Sequence, residues 1–378
     1  MSERRFPRPR LAVVKVGSNS LRGQGGRLDR HQIAALADQV AASRAAGSDV
    51  VLVSSGAVAA GLGLLGFDNR PADLVTLQSA ASVGQGELVH TYQQHLLRHG
   101  LACGQGLLTQ DDFVRRNRYL NARATLRRLI ELGAVPIVNE NDVVATEELA
   151  YGDNDHLAAL VASMVEAQLL LLLSDVEGLH DADPRIVPEA RLIGRVDDLT
   201  LVDPATIGGA GSFVGSGGMR TKVEAARVAV LSACHAVIAE ARQPHVIEAA
   251  LAGEHVGTWM VAQPRRLEAR RLWIGFALNP HGRVQVDSGA VRALVQGRTS
   301  LLAVGVRRVE GAFSAGDAVE VVGPDGRIVA RGLINYDATD LERIVGRSTA
   351  EAVEVFGSGY AREVIHRDDL VVLAAVTP

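Results

Sequence analysis

Four aliphatic runs in the first half of the chain end at the same kind of boundary. Leu11–Val16 runs into Gly17-Ser18, and Asp49–Val53 into Ser54-Ser55-Gly56-Ala57. Val135–Val138 runs into Asn139-Glu140-Asn141-Asp142, and Gln168–Leu173 into Ser174-Asp175. Short, unbroken apolar runs of this kind suit strands buried on both faces. Residues 30–46, 72–99, Asn117–Leu132 and Asn154–Glu166 read as helices between them. Strands alternating with helices imply an α/β fold, with a mainly parallel sheet covered on both faces. Parallel strands end on one edge, so the four polar boundaries converge there, where open α/β sheets bind ligands.

The boundary at 139–142 is the richest, with two amides and two carboxylates. About ten residues later comes Gly152-Asp153-Asn154-Asp155, just before an apolar stretch of helical length. Asp or Asn in that position is a helix-cap signal. A turn and a cap would explain either cluster alone. Two such clusters around one loop favour a binding site, in which Asp142, Asp153 and Asp155, with Asn139 and Asn154, take a ligand carrying a cation, a metal, or both.

Composition excludes several classes. The chain has 378 residues, 47% apolar and 22% charged, with a net charge of −4. That suits a soluble protein of two or three domains and argues against one that coats nucleic acid. Cys103 and Cys234 are far apart and lack metal-ligand spacing. There is no signal-peptide pattern, and the longest aliphatic run, Leu169–Leu173, is far short of a membrane span. A cytoplasmic enzyme with no membrane contact is expected.

Of 39 Lys plus Arg, only Lys15 and Lys222 are lysine. Surface cations tolerate exchange to arginine, whereas a site needing a compact ammonium does not. Both lysines lie in glycine-rich surroundings. Lys15 precedes Gly17-Ser18, whose backbone N–H groups can face an anion. Lys222 ends Gly208–Lys222, which opens a helix over Met219–Leu231. Flexible N–H groups at a helix start, with a lysine one turn in, suit a polyphosphate. No Walker A pattern exists. Gly61-Leu62-Gly63-Leu64-Leu65-Gly66 matches G-x-G-x-x-G, but it does not directly follow a strand, so a packed glycine-rich turn is expected there instead. His156 is not placed as an obvious base.

Composition changes after residue 263. The expected division is a catalytic domain over 1–263, a basic linker over 264–280 and a mostly β domain over 281–378. Within the last, short strands around one helix are read over Arg283–Asp287, Ser288–Val295, Ala318–Val322, Arg327–Leu333 and Leu370–Ala374.

Two lysines with glycine-rich loops suit phosphoryl transfer, which depends on positioned cations. The lack of an obvious base suits a carboxylate acceptor, because a glutamate side chain with a reference pKa of about 4.3 is already ionised.

Val14-Lys15-Val16-Gly17-Ser18, Ser54-Ser55-Gly56-Ala57, Asn139-Glu140-Asn141-Asp142, Gly152-Asp153-Asn154-Asp155 and Gly217-Gly218-Met219-Arg220-Thr221-Lys222 together resemble the glutamate 5-kinases of the amino acid kinase superfamily. The resemblance implies the amino acid kinase fold, a mainly parallel sheet between helical layers, followed by a PUA-like domain. It implies ATP as cosubstrate, with Mg²⁺ on its phosphates and no protein-held metal site, and L-glutamate as acceptor at the first step of proline biosynthesis. Lys15 and Lys222 would bridge the transferred phosphoryl group, with Asp155 orienting both. Ser55, Gly56, Asn139, Asp142, Asp153 and Asn154 would line the acceptor site. Lys15, Gly17, Ser174, Asp175 and Ser216-Gly217-Gly218-Met219-Arg220-Thr221-Lys222 would contact ATP. Proline as feedback inhibitor and a homo-oligomer are also implied. Arg220 departs from the small hydroxyl residue common at its place. Other amino acid kinases, acting on aspartate, N-acetylglutamate or a nucleoside monophosphate, are the alternative. An RNA-binding PUA protein is the reading from a different class.

Overall fold

In the computed structural model the aliphatic runs are strands of one eight-stranded sheet. The structure describes all residues except 1–5, 24–26, 68, 110, 145–153, 183–186, 188, 200–217, 265–270, 272, 279, 298 and 374–378. The chain forms two compact units, Met1–Arg266 and Leu267–Pro378. Among the described residues no helix is long and apolar enough to cross a membrane.

The strands of the first unit are β1 (Leu11–Val16), β2 (Asp49–Ser54), β3 (Cys103–Leu108), β4 (Val135–Glu140), β5 (Leu169–Ser174), β6 (Arg195–Val196), β7 (His235–Glu240) and β8 (Thr258–Met260). Their order is β3-β4-β2-β1-β5-β7-β8-β6. Every pairing is parallel except β7 with β8. The connecting helices are α1 (Arg30–Ala45), α2 (Ala57–Leu64), α3 (Leu74–Arg98), α4 (Asp111–Val114), α5 (Arg116–Glu131), α6 (Asn154–Val165), α7 (Met219–Leu231) and α8 (Val246–Ala252).

The register shows why the site forms where it does. Lys15 pairs with Val53 on one side and Leu172 on the other, and Val53 pairs with Val138. The residues that follow in each strand leave the sheet edge together: Gly17, Ser54-Ser55, Asn139 and Ser174. From β1 the chain passes to β2, on to β3 at the sheet edge and back to β4 between them, then crosses to the other side of β1 with β5. The order therefore reverses at β1, and such a switch point opens a crevice at the strands' carboxyl ends. The centre of the sheet is sealed, since Val13, Val14, Leu52, Val53, Ile137, Val138 and Leu169–Leu173 are all fully buried.

The segment 61–66, expected as a turn, is largely helical: α2 runs through Gly61 and ends at Leu64. Gly61 serves helix contact, as does Gly84 on α3, while Gly66 sits in the turn after α2 at φ +75°. A Cβ on Gly61 would lie 1.7 Å from the Ala80 carbonyl oxygen, and one on Gly84 would lie 1.9 Å from that of Ala57. These two glycines let α2 and α3 approach backbone to backbone. An alanine in a helix normally gains about 1 kcal/mol over glycine. Here the clash outweighs that gain, because overpacking costs roughly 1–3 kcal/mol and occasionally more. Gly84→Ala should therefore be less stable than wild type in chemical unfolding, whereas a gain in stability would show that the helices can part freely.

The second unit holds β9 (Gly282–Val286), α9 (Ser288–Gln296), β10 (Val306–Gly311), β11 (Ala318–Val322), β12 (Ile328–Leu333), α10 (Ala338–Ile344), α11 (Thr349–Phe356) and β13 (Leu370–Val372). Its sheet has the order β10-β9-β11-β12-β13, with β9 and β11 parallel. One helix was expected here, but α10 and α11 add two more, and β10 is a further strand. The Trp273–Ala277 turn packs on β12 and β13, and Ile274 is fully buried. This part of the stretch whose composition suggests a linker thus belongs to the second unit.

Candidate active site

Three elements bring their charged side chains to one point. Lys15 comes from the end of β1, Asp155 from the first turn of α6 and Lys222 from the first turn of α7. Helix α6 packs on both β1 and α7. Lys15 Nζ lies 2.5 Å from Asp155 Oδ1, and Lys222 Nζ lies 3.0 Å from Asp155 Oδ2. Asp155 is 0% exposed, Lys15 4% and Lys222 5%. Burial by itself opposes ionisation of Asp155. The charges of Lys15 and Lys222 and their hydrogen bonds outweigh it, holding the carboxyl below the usual carboxylate range. One carboxylate between two ammoniums leaves a formal charge of +1. Removing such charges from water is costly, so the arrangement is weak evidence for stability. At a ligand-binding edge it is better understood as preorganisation for an anion.

Helix α7 begins at Gly218, and Thr221 closes its first turn by donating from Oγ to the Gly218 carbonyl at 2.8 Å. Thr221 Oγ also lies 3.5 Å from Asp155 Oδ2. Met219 is half-buried, while the Arg220 side chain is exposed and pairs with Glu224 at 3.1 Å. The guanidinium that departs from the usual residue type is therefore turned to solvent. Ser174 is buried and donates to Asp175 Oδ1 at 3.1 Å, and Asn19 donates to Asp175 Oδ2 at 3.5 Å. Gly17 lies beside the Lys15 ammonium: a Cβ built there would sit 3.7 Å from Nζ, an ordinary contact distance.

Beside the three charges lies an amide relay. Asn154 Nδ2 donates to Ser55 Oγ at 2.8 Å and to Asn139 Oδ1 at 2.9 Å. Asn139 Nδ2 donates to Gln85 Oε1 at 2.7 Å. Gly56 follows Ser55 at φ +108°, a left-handed conformation that favours glycine. The backbone N–H of Ser55 donates to the Val16 carbonyl, which ties this turn to β1. Asp142 opens a short helical turn that packs against α3. Burial raises its carboxyl above the ordinary range, partly offset by its own backbone hydrogen bond and by the positive charge of Arg70.

The structure thus brings Lys15, Asp155, Lys222 and Thr221 into one cluster and Ser55, Asn139 and Asn154 into another. Consecutive residues of α6, Asn154 and Asp155, join the two. Asp153, Ser216 and Gly217 lie outside the described residues. Gln85 was missed by sequence reading, because one glutamine within a long helix carries no spacing signal. Its sequence clue is its place after Gly84, at the point where α3 must come close. Among the described residues, no group of three or more His, Cys, Asp or Glu side chains could hold a metal ion.

The amino acid kinase family profile matches residues 10–240, and the PUA domain profile matches residues 282–356. Glutamate 5-kinase from Streptomyces coelicolor is 52% identical over 366 residues, 96% of each chain. Glutamate 5-kinase from Salinispora arenicola is 52% identical, covering 96% of this chain and 98% of its own. That from Pseudomonas putida strain F1 is 48% identical over 96% of this chain and 97% of its own. Among solved structures, UMP kinase from Bacillus anthracis aligns with 68% of this chain and 97% of its own at a TM-score of 0.48 and 15% identity, too distant a likeness to add to the assignment. The chain belongs to the amino acid kinase family, in its glutamate 5-kinase branch, and carries a C-terminal PUA domain.

Proposed function

We propose that the protein transfers the γ-phosphoryl group of ATP to the γ-carboxylate of L-glutamate, giving L-glutamyl 5-phosphate and ADP for proline biosynthesis in the cytoplasm. The observation that carries this reading is the buried Lys15–Asp155–Lys222 cluster one residue from the Asn154 relay. A carboxylate oxygen of glutamate attacks the γ-phosphorus, and the bond to the β,γ-bridging oxygen breaks as ADP leaves. No proton has to move, so the reaction needs no histidine base. The two ammoniums neutralise charge on the phosphoryl oxygens throughout, with Asp155 fixing their separation.

ATP would lie along the Gly17 turn, the Ser174-Asp175 strand end and the start of α7, with residues 216–222 around its phosphates. Magnesium would arrive on those phosphates, as this ion usually does, and screen part of their charge. Both Asp155 oxygens are engaged by lysines, which suits that division of labour. Ser55, Gly56, Asn139, Asp142, Asp153 and Asn154 would hold glutamate. A site that recognises an α-amino acid this way could also take proline as feedback inhibitor, and a homo-oligomer is expected.

Asp142 is assigned to the substrate ammonium. Losing a charge-assisted hydrogen bond costs roughly 1.5–3 kcal/mol. Asp142→Asn should therefore raise the KM for glutamate by about 10-fold or more and leave that for ATP nearly unchanged. An unchanged glutamate KM removes Asp142 from the acceptor site.

A further inference from the structure

The amide relay has a fixed polarity, and that polarity leaves two buried ends open. The backbone N–H of Glu140 donates to the Asn139 side chain at 2.9 Å, so the accepting atom there must be Oδ1. The other end of the Asn139 amide is then Nδ2, and Gln85 must present Oε1 to it. Asn154 must present Nδ2 to Asn139 Oδ1, and its second hydrogen goes to Ser55 Oγ. This settles the usual ambiguity of amide orientation from a donor that cannot flip. What remains is Gln85 Nε2, a donor, and Asn154 Oδ1, an acceptor. Both atoms are buried and have no hydrogen-bond partner among the described residues, and both residues are only 8% exposed. Leaving such groups unsatisfied costs about 1–3 kcal/mol each, so a native site keeps them for a ligand. Ser55 Oγ accepts from Asn154, so its own proton is also available.

Gln85 is held firmly in place. Its helix carries Leu88, Tyr92 and Leu96 on a fully buried face, and the Tyr92 hydroxyl accepts from Ser54 at 3.2 Å. Burial pushes the Tyr92 phenol up to about 12, so it stays neutral. Gly84, one residue before Gln85, sets α3 against α2. These contacts fix the helix under Gln85, and the 2.7 Å hydrogen bond from Asn139 Nδ2 holds its amide.

We infer that Gln85 binds the α-carboxylate of the acceptor amino acid, donating from Nε2, while Asn154 Oδ1 accepts from its ammonium. This rests on the glutamate reading given above. The reacting γ-carboxylate must reach the lysines that Asp155 holds. Among the described residues Gln85 is linked to that cluster through Asn139 and Asn154, two hydrogen bonds away, so it faces the end of the substrate that does not react.

Gln85→Glu keeps an oxygen for Asn139 but turns the open donor into a charged acceptor. It should raise the glutamate KM by about 30-fold or more with the ATP KM little changed. Glutamate α-amide, which places an N–H₂ where glutamate has an oxygen, becomes the better match. The ratio of kcat/KM for the α-amide to that for glutamate should rise at least about 10-fold over wild type. Gln85→Met, similar in size and uncharged, should raise the glutamate KM without improving the α-amide ratio, and it remains informative if the glutamate variant does not fold. A glutamate KM within about threefold of wild type in either folded variant overturns the assignment, as does a raised KM in Gln85→Glu with an unchanged α-amide ratio. Wild-type protein that turns over ATP with another amino acid but not with glutamate sinks the glutamate reading itself, and Gln85's role in binding glutamate with it.

Discussion

Lys15→Arg and Lys222→Arg should each fold, bind glutamate, and turn over about 10²-fold or more slowly than wild type. The background already accepts guanidinium at 37 positions, so arginine as such is no threat to this chain. These two positions differ because the side chains are 4% and 5% exposed and both contact the same carboxylate. A guanidinium is planar and larger than an ammonium, so it moves the charge outward and spreads it. Removing one preorganised stabilising group typically costs 10²–10³ in kcat, about 2.7–4 kcal/mol. A thermal melt beside the kinetics separates this loss from misfolding. Near-wild-type kcat in either variant takes that lysine out of the phosphoryl-transfer machinery.

Asp155→Asn should be more damaging in two ways. Without the carboxylate, Lys15 and Lys222 face each other as like charges in a buried site, and their separation is no longer fixed. A kcat loss of about 10³-fold or more is expected, larger than for either lysine variant, because both cations depend on this one group. Breaking a buried ion pair from one side also costs about 3–5 kcal/mol of stability. The pH dependence gives the sign. The folded carboxyl lies below its ordinary value, so its stabilising contribution is present above the unfolded pKa of about 3.9. It is lost as pH falls through the lower folded value. Wild type and Asp155→Asn should therefore differ most in stability near neutral pH and converge in strong acid. A constant difference across that range would show that Asp155 is not ionised in the fold.

The site could be read in the sequence wherever backbone periodicity placed it. Uninterrupted aliphatic runs marked the strands, and in a parallel sheet their ends can meet only on one edge. Lys15, Ser55, Asn139 and Ser174 follow from that alone. The rarity of lysine marked Lys222. Gln85 was hidden because which face of α3 meets the strand ends depends on Gly61 and Gly84, a long-range contact with no local signature. The same contact explains why 61–64 was misread as a turn: Gly61 serves a helix crossing, and only Gly66 lies in a turn. In the second unit, β10 was missed because Arg307, Arg308 and Glu310 leave it without an apolar run, its burial falling off after Val306. Helix α11 was legible in principle. Ser348 and Glu351 form a reciprocal cap at its start, the S-x-x-E pattern that marks a helix N-terminus.

The most direct test uses hydroxylamine to trap the product. Wild-type protein with ATP, Mg²⁺, L-glutamate and hydroxylamine should form γ-glutamyl hydroxamate at the rate of ADP release, and neither aspartate nor N-acetylglutamate should replace glutamate. ADP release without hydroxamate, or faster hydroxamate formation from another carboxylate, would contradict phosphorylation of the glutamate γ-carboxylate at the Lys15–Asp155–Lys222 cluster.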